Sequence, residues 1–377
     1  MNYKKSGTIF PLLTNMPLTD ILIHKINNDG PLSFHDFMEM ALYHPDEGYY
    51  TGSFERIGKK EDYYTSPEFS SVFGLLLAKQ LEEMWRLTGS NSFTIIEYGA
   101  GPGTLCHDIL SYFREQPQLY GELRYCIIEK SPAMIEREKQ LLCEKVEWYD
   151  RIEDIAFTVG CVLSNEVVDN FPVHEVVMQK ELMEVYVDYR DGFVELLMPA
   201  PDELKEYLRE LNVTLPAGYR TEINLEALSW LEKNAAALEK GFMITIDYGF
   251  PAHELYDLSR HRGNLVCYKK HTPNTSLYHA IGEQDITAHV NFSALHHWGR
   301  RYGLSCCGYT SQAHFLHGLG LVPLLDNLTA KGSACKERLI QLYRKAMSLS
   351  NPFKILVQQK GLEAATLSGL YFARPAV

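Results

Sequence analysis

The hydrophobic rhythm of the chain changes near residue 92. Before that point apolar residues recur at helical spacing. Phe34, Phe37, Met38 and Ala41 follow Ser33, a residue type suited to capping a helix. Phe73, Leu76, Leu77, Leu81 and Trp85 mark one face of a helix over 70–87. Between the two lies an irregular stretch, 44–68, rich in Gly, Tyr and Pro. A loop of that length inside a compact unit is functional or disordered, and its aromatic content argues against disorder.

Beyond residue 92 short apolar runs alternate with helical segments. The pattern predicts strands over 93–98, 124–129, 146–149 and 161–165, with helices over 104–113 and 132–143. Such alternation implies right-handed crossovers and a parallel sheet. Residues 173–190 alternate with period two and read as a hairpin added to this α/β core. A helix over 223–240 leads into an apolar strand, 242–247. Residues 250–290 read as loop, with scattered His and Pro. A helix over 292–302 and strands over 305–309 and 353–358 complete the expected sheet.

Composition narrows the class. The 377 residues are 46% apolar and 22% charged, ordinary for a globular chain with a large core. A net charge of −12 excludes nucleic acid as the expected partner, because counterion release needs clustered Lys and Arg. None of the eight cysteines falls in a C-x-x-C pair, so no metal site is expected and the thiols read as free and buried. No run of about 18 apolar residues predicts a membrane span, and the N-terminus lacks a secretory signal pattern. The expected location is cytoplasmic.

The sharpest chemical signal is Glu97-Tyr98-Gly99-Ala100-Gly101-Pro102-Gly103, set between a strand and a helix. Glycines there let a ligand approach the backbone, and the helix start offers free N–H donors. A dinucleotide fingerprint is G-x-G-x-x-G, whereas these glycines are spaced G-x-G-x-G with Thr104 next. Glu97 would repel a pyrophosphate, but suits S-adenosylmethionine (SAM), which carries an ammonium and a sulfonium. Glu129 ends the next strand, where an acid can accept both ribose hydroxyls; capping the following helix, in competition with Ser131, is its plainer role. Gly99, Gly101, Gly103, Glu97 and Glu129 are the expected cofactor set. Thr65-Ser66-Pro67-Glu68 can fold over the cofactor through Pro67 and Glu68, or simply start a helix.

Several blocks stand in a fixed order around this turn: Gly30-Pro31-Leu32-Ser33-Phe34, His44 to Tyr50, Asp62 to Glu68, Ser164 to Val173, Asp247-Tyr248-Gly249, and Gly282 to Val290. In that order they resemble the MidA family, whose members include a mitochondrial complex I assembly factor that dimethylates an arginine. The likeness spans about 28–360. Tyr63, Tyr64, Ser66 and Asn291 depart from the pattern, and none of them is a cofactor-site acid. The resemblance implies a seven-stranded, Rossmann-like SAM-methyltransferase sheet with an N-terminal helical cap and an inserted segment. On this basis 1–90 is expected to form cap and cofactor lid. Residues 91–377 would form the methyltransferase domain, with insertions near 173–225 and 250–290.

For the methyl acceptor, Glu166 and Asp169 follow a strand at the carboxyl edge of the sheet, where ligands bind. Three residues apart on one helical turn, they can face one side and grip a guanidinium bidentately. Chain capping before Pro172 is the competing role for Asp169 and Asn165. Asn165, through its amide, and Asp247, at the next strand's end, are further acceptor-side candidates. Glu283, Gln284, Asp285 and His289 lie in the insertion, and His289 reads as structural. The expectation is a SAM-dependent protein methyltransferase, with arginine as acceptor and, through the resemblance, a respiratory-complex subunit as substrate. A small-molecule methyltransferase, a non-catalytic assembly protein and a nicotinamide oxidoreductase are the alternatives. The oligomeric state is not legible.

Overall fold

The computed structural model describes residues 16–52, 71–142, 145–156, 159–269, 272–330 and 353–373. The N-terminal helices are α1 (Leu18–Asp29) and α2 (Phe34–Tyr43), with the two-residue strand β1 (Leu32–Ser33) between them. Ser33 caps α2 as its sequence suggested, its Oγ accepting the Asp36 N–H at 3.1 Å. The long helix α3 (Ser71–Thr88) precedes the alternating core. That core runs β2 (Phe93–Tyr98), α4 (Thr104–Arg114), β3 (Leu123–Ile128), α5 (Pro132–Leu141), β4 (Val146–Tyr149) and β5 (Val159–Asn165).

Next come the hairpin β6 (His174–Met178) and β7 (Leu182–Tyr189), then β8 (Phe193–Pro199), α6 (Asp202–Glu210) and β9 (Arg220–Ile223). Helix α7 (Leu225–Ala237) leads into β10 (Lys240–Phe250). Three short strands follow, β11 (Val266–Lys269), β12 (Thr272–Asn274) and β13 (Asp285–Thr287). The chain then forms β14 (Val290–Asn291), α8 (Phe292–Arg301), β15 (Ser305–Ser311) and β16 (Phe353–Lys360).

The main sheet has the order β15-β16-β10-β5-β2-β3-β4, with β14 added beside β10. Strands β4, β3, β2, β5 and β10 are mutually parallel, while β16 runs antiparallel to both β10 and β15. Apolar residues on alternating sides of each strand build a core on each face. Ile95 and Tyr125 pack on one side with Leu76, Leu81 and Ile109; Ile96 and Val162 pack on the other with Leu231 and Leu295.

Helix α3, expected in the N-terminal cap, therefore belongs to this body: its apolar face is buried against the main sheet. Helices α1 and α2 pack elsewhere. They share a third core with Val185 and Val187 of a second sheet, β9-β6-β7 flanked by β1 and β8, and with Cys267 and Ile286 of a third, β12-β11-β13. The loop expected over 250–290 thus holds a small sheet. Its strands are three or four residues long, too short for periodicity to reveal. Four of the six cysteines in the described residues are buried and all six are free, as their apolar surroundings predicted.

Strand order decides where a site can form. From β2 the chain passes to β3 on one side, while β5 lies on the other. Their carboxyl ends stand side by side, with Tyr98 paired to Ser164. This is the point where strand order reverses, and loops diverging from it open a crevice.

Candidate active site

The glycine turn forms one wall of that crevice. Gly99, Gly101 and Gly103 all adopt left-handed backbone, with φ of 56°, 57° and 80°. An L side chain enters that region at a cost of about 1–2 kcal/mol, so glycine is the residue the turn requires. The Gly99 N–H donates to Ile128 C=O at 3.0 Å, which ties the turn to β3. A Cβ added to Gly101 would meet no protein atom within 4 Å. The space above the turn is open for a ligand. Gly103 is the residue at the N-terminus of α4.

Glu97 lies beneath the turn, buried, its Oε2 accepting the Tyr125 hydroxyl at 2.7 Å. Burial pushes its carboxyl up to about 7, against the opposing pull of that hydrogen bond. Glu129 stands at the end of β3, and its Oε1 accepts the Ser131 N–H at 2.7 Å. Ser131 itself caps α5 through the Met134 N–H, so both residues organise that helix start. Burial raises the Glu129 carboxyl, and the Ser131 N–H counters it.

The opposite wall is the loop after β5. Glu166 has φ 56°, a left-handed conformation that a non-glycine residue adopts only under constraint. The constraint is visible. Glu166 donates its N–H to Ile246 C=O at 2.9 Å. The next three N–H groups, of Val167, Val168 and Asp169, all donate to Asp247 Oδ2, at 3.2, 2.9 and 3.3 Å. Asp247 Oδ1 accepts a fourth, from Tyr248 at 2.8 Å. Asp247 is fully buried beneath the loop and lines neither cavity described below.

Two adjacent cavities that share part of their lining occupy the crevice. The inner one, about 160 Å³, is bounded by Glu97, Gly99, Gly101, Asn165, Glu166 and Asp169, with Asp285 and Tyr50 completing it. The outer one, about 530 Å³, shares Gly99, Gly101 and Glu166 and extends past Glu129 to Tyr98, Phe171 and Trp230. The fold thus brings together Glu97, Glu129, Asn165, Glu166, Asp169 and the turn. It leaves Asp247 under the loop. Pro67 and Glu68 lie outside the described residues.

The inner cavity is strongly acidic. Asp169 is 3% exposed, and its Oδ1 has no hydrogen-bond partner. Burial, and then the Asp247, Asp285 and Glu166 carboxylates, push the Asp169 carboxyl well above its ordinary range. Asp247 is also raised by burial, an effect that its four backbone donors oppose. Asn165 Oδ1 is likewise without a partner, while its Nδ2 donates to Glu166 Oε1 at 3.4 Å. Asp285 and Tyr50 escaped sequence reasoning as wall residues. The chain pattern puts Asp285 only within the insertion, and nothing local in it aims either side chain at residue 169.

Residues 76–310 match the Methyltransf_28 family model of S-adenosyl-L-methionine-dependent methyltransferases. The mitochondrial protein arginine methyltransferase NDUFAF7 of Homo sapiens is 28% identical over 383 residues, covering 90% of this chain and 81% of that one. Its Drosophila melanogaster homolog is 27% identical over 380 residues, covering 91% and 85%. A Burkholderia thailandensis protein crystallised with S-adenosyl-homocysteine is 30% identical, with a TM-score of 0.86 and 95% of each chain covered. The mitochondrial relatives overturn the expected cytoplasmic location. Free thiols and short apolar runs suit any reducing compartment, so they could not decide between two of them. Among the described residues no helix is long and apolar enough to cross a membrane. The chain belongs to the family of SAM-dependent methyltransferases, and S-adenosylmethionine is its cofactor.

Proposed function

We propose that this enzyme methylates an arginine side chain of a protein substrate. When bound, SAM supplies a methyl group on a positively charged sulfur. Glu97, Gly99, Gly101, Gly103 and Glu129 would hold it. The open space over Gly101 and the buried acid beneath the turn fit a ligand that carries both a sulfonium and an ammonium. Glu166 and Asp169 would grip the guanidinium bidentately and turn one nitrogen toward the methyl group, with Asn165 beside them. Asp247 would act through the loop that it anchors.

The observation that carries the reading is the buried, unpartnered Asp169 Oδ1 in the same small cavity as the glycine turn. An uncompensated buried acceptor is costly, and a multi-donor cation is the guest that removes the cost. The arginine methyltransferases among the relatives support the same acceptor. A respiratory-complex subunit is the first substrate to try, on the resemblance to the MidA family.

The test is incubation with methyl-labelled SAM and cell extract, followed by hydrolysis and identification of the labelled amino acid. Methylarginine is expected; label confined to another residue or to a small molecule overturns the reading. On the cofactor side, Glu129→Ala should weaken S-adenosylhomocysteine binding by about 1.5–3 kcal/mol in calorimetry. Unchanged affinity would remove Glu129 from the cofactor set.

A further inference from the structure

Tyr50 closes the block His44 to Tyr50, to which the functional reading gives no role. Among the described residues five line both cavities: Tyr50, Gly99, Gly101, Glu166 and Asn170. Four of them come from the glycine turn and the loop after β5, and Tyr50 is delivered from behind α2. Its backbone is fixed on the end of that helix. The Tyr49 N–H donates to Ala41 C=O at 3.0 Å, and the Tyr50 N–H to Leu42 C=O at 2.9 Å. The turn before them is tight: the Gly48 N–H donates to His44 C=O at 2.8 Å, and a Cβ on Gly48 would collide with the His44 backbone. The ring is held as well. Tyr43 stacks with it at 5.7 Å between centroids, and Tyr49 meets it nearly at right angles at 5.0 Å. Tyr43 is itself tied to the loop after β5, its hydroxyl donating to Asn170 C=O at 3.3 Å.

SAM and S-adenosylhomocysteine differ at one sulfur, a methylated cation in the first and a neutral thioether in the second. A sulfonium carries no N–H or O–H, so donor geometry cannot distinguish it. It is distinguished by negative charge or by an aromatic ring, as quaternary ammonium groups are. The methyl group passes from cofactor to acceptor, so its sulfur belongs where the glycine turn and the acceptor wall share space. Of the five residues there, Gly99 and Gly101 have no side chain. Asn170 directs its amide N–H to Asp285 Oδ1 at 3.0 Å. Glu166 is assigned to the acceptor. Tyr50 supplies the aromatic ring of the set.

We propose that Tyr50 recognises the sulfonium of SAM with its ring and so distinguishes the methyl donor from spent S-adenosylhomocysteine. This inference rests on the placing of the cofactor at Gly99, Gly101 and Glu129. Tyr50 loses its attraction once the sulfur is neutral, which eases product release. The segment after α2 then takes part in cofactor selection, and Tyr43 and Tyr49 act as positioning residues for the ring.

The test is calorimetry on the full chain with SAM and with S-adenosylhomocysteine, each alone. Tyr50→Leu should lower the ratio of SAM to S-adenosylhomocysteine affinity about ten-fold, with S-adenosylhomocysteine affinity within about two-fold of wild type. Tyr50→Phe keeps the ring and should preserve the ratio. If Tyr50→Leu does not fold by circular dichroism, Tyr50→Met carries the same expectation. Equal weakening of both ligands in the ringless variant would make Tyr50 a mere wall and overturn the proposal, as would an unchanged ratio. A ratio lowered in Glu166→Gln but not in Tyr50→Leu gives the sulfonium to the carboxylate and overturns it as well. Glu129→Ala tells this failure from that of the cofactor placing. If it weakens both ligands while Tyr50→Leu leaves their ratio intact, the placing stands and only the role of Tyr50 falls. If neither variant changes either affinity, the two fall together.

Discussion

The two walls of the crevice solve the same backbone problem in different ways. Both are turns that leave neighbouring parallel strands at the point where strand order reverses, and both need left-handed residues. The wall proposed to hold the cofactor uses three glycines, for which the conformation is nearly free. The other wall uses Glu166, whose φ of 56° carries a penalty, and Asp247 holds the loop by accepting three consecutive N–H groups. A glycine turn is written locally in the chain. A carboxylate held in a strained turn depends on a residue some eighty positions away. That difference separates a wall that shapes space from one that places charge.

The largest expected effect tests the charge. Glu166→Gln keeps the shape and removes the charge, so S-adenosylhomocysteine affinity should hold while turnover falls. The loss should be on the order of 2–4 kcal/mol, or roughly 30- to 1000-fold. Replacing Asp169 should act alike, and the double variant should be less than additive if both grip one group. Near-normal labelled-methyl incorporation in Glu166→Gln would leave the strained turn without a catalytic reason.

Asp247→Ala tests the anchor. It strips the acceptor from three buried N–H groups, and chemical unfolding should show a loss of about 3 kcal/mol. The glycine turn needs no such anchor, so the variant should still bind S-adenosylhomocysteine while it remains folded. Collapse of cofactor binding with full stability would reverse the roles given to the two walls.

Glu97 tests the electrostatics of the cofactor wall. Its folded carboxyl is raised to about 7, so the native chain keeps a proton that the unfolded chain has already released. The Glu97 contribution to stability is therefore present at low pH and is lost as pH rises from about 4.5 through about 7. If the ionised carboxylate receives the cofactor ammonium, S-adenosylhomocysteine affinity should climb over that same window, by at most about ten-fold per pH unit, and level off above it. Glu97→Gln should flatten both profiles. A wild-type affinity that does not change between pH 5 and 8 would refute the pairing.

The smallest effect isolates the strain. Glu166→Gly should stabilise the free protein by about 1 kcal/mol in chemical unfolding, because glycine adopts the left-handed turn without penalty. It should abolish the acceptor contribution at the same time. Stability bought at the cost of turnover is the signature of a strained functional residue. Lower stability in this variant would mean that the side chain, not the backbone, holds the loop.

Much of the backbone of the wall proposed for the cofactor is legible from residues alone. The run from Glu97 to Gly103 marks strand, turn and helix in order, and Glu129 falls at the end of the next strand. These features lie within about thirty residues, and their chemistry is that of local backbone. The alternating pattern likewise revealed β2 to β5, the hairpin of β6 and β7, and the late strands β15 and β16. The apolar spacing predicts helix α3 within the N-terminal cap, whereas it packs on the main sheet. Its apolar stripe says that it is buried, and not against which sheet.

The wall proposed for the acceptor is only half legible. Position at a strand end drew attention to Asn165, Glu166, Asp169 and Asp247, but nothing local separates an acid facing a cavity from one anchoring a loop. Tertiary structure made that division, because burying four backbone donors around Asp247 satisfies it while Asp169 Oδ1 is left without a donor. It also brought Asp285 from strands too short to announce themselves. The parallel sheet, the glycine turn and the cofactor class are readable along the chain, since each depends on residue type and spacing within one stretch. Which acids share a cavity was decided only by the fold, because the cost of buried charge depends on neighbours in space, and those arrive from β5, β10 and the inserted sheet.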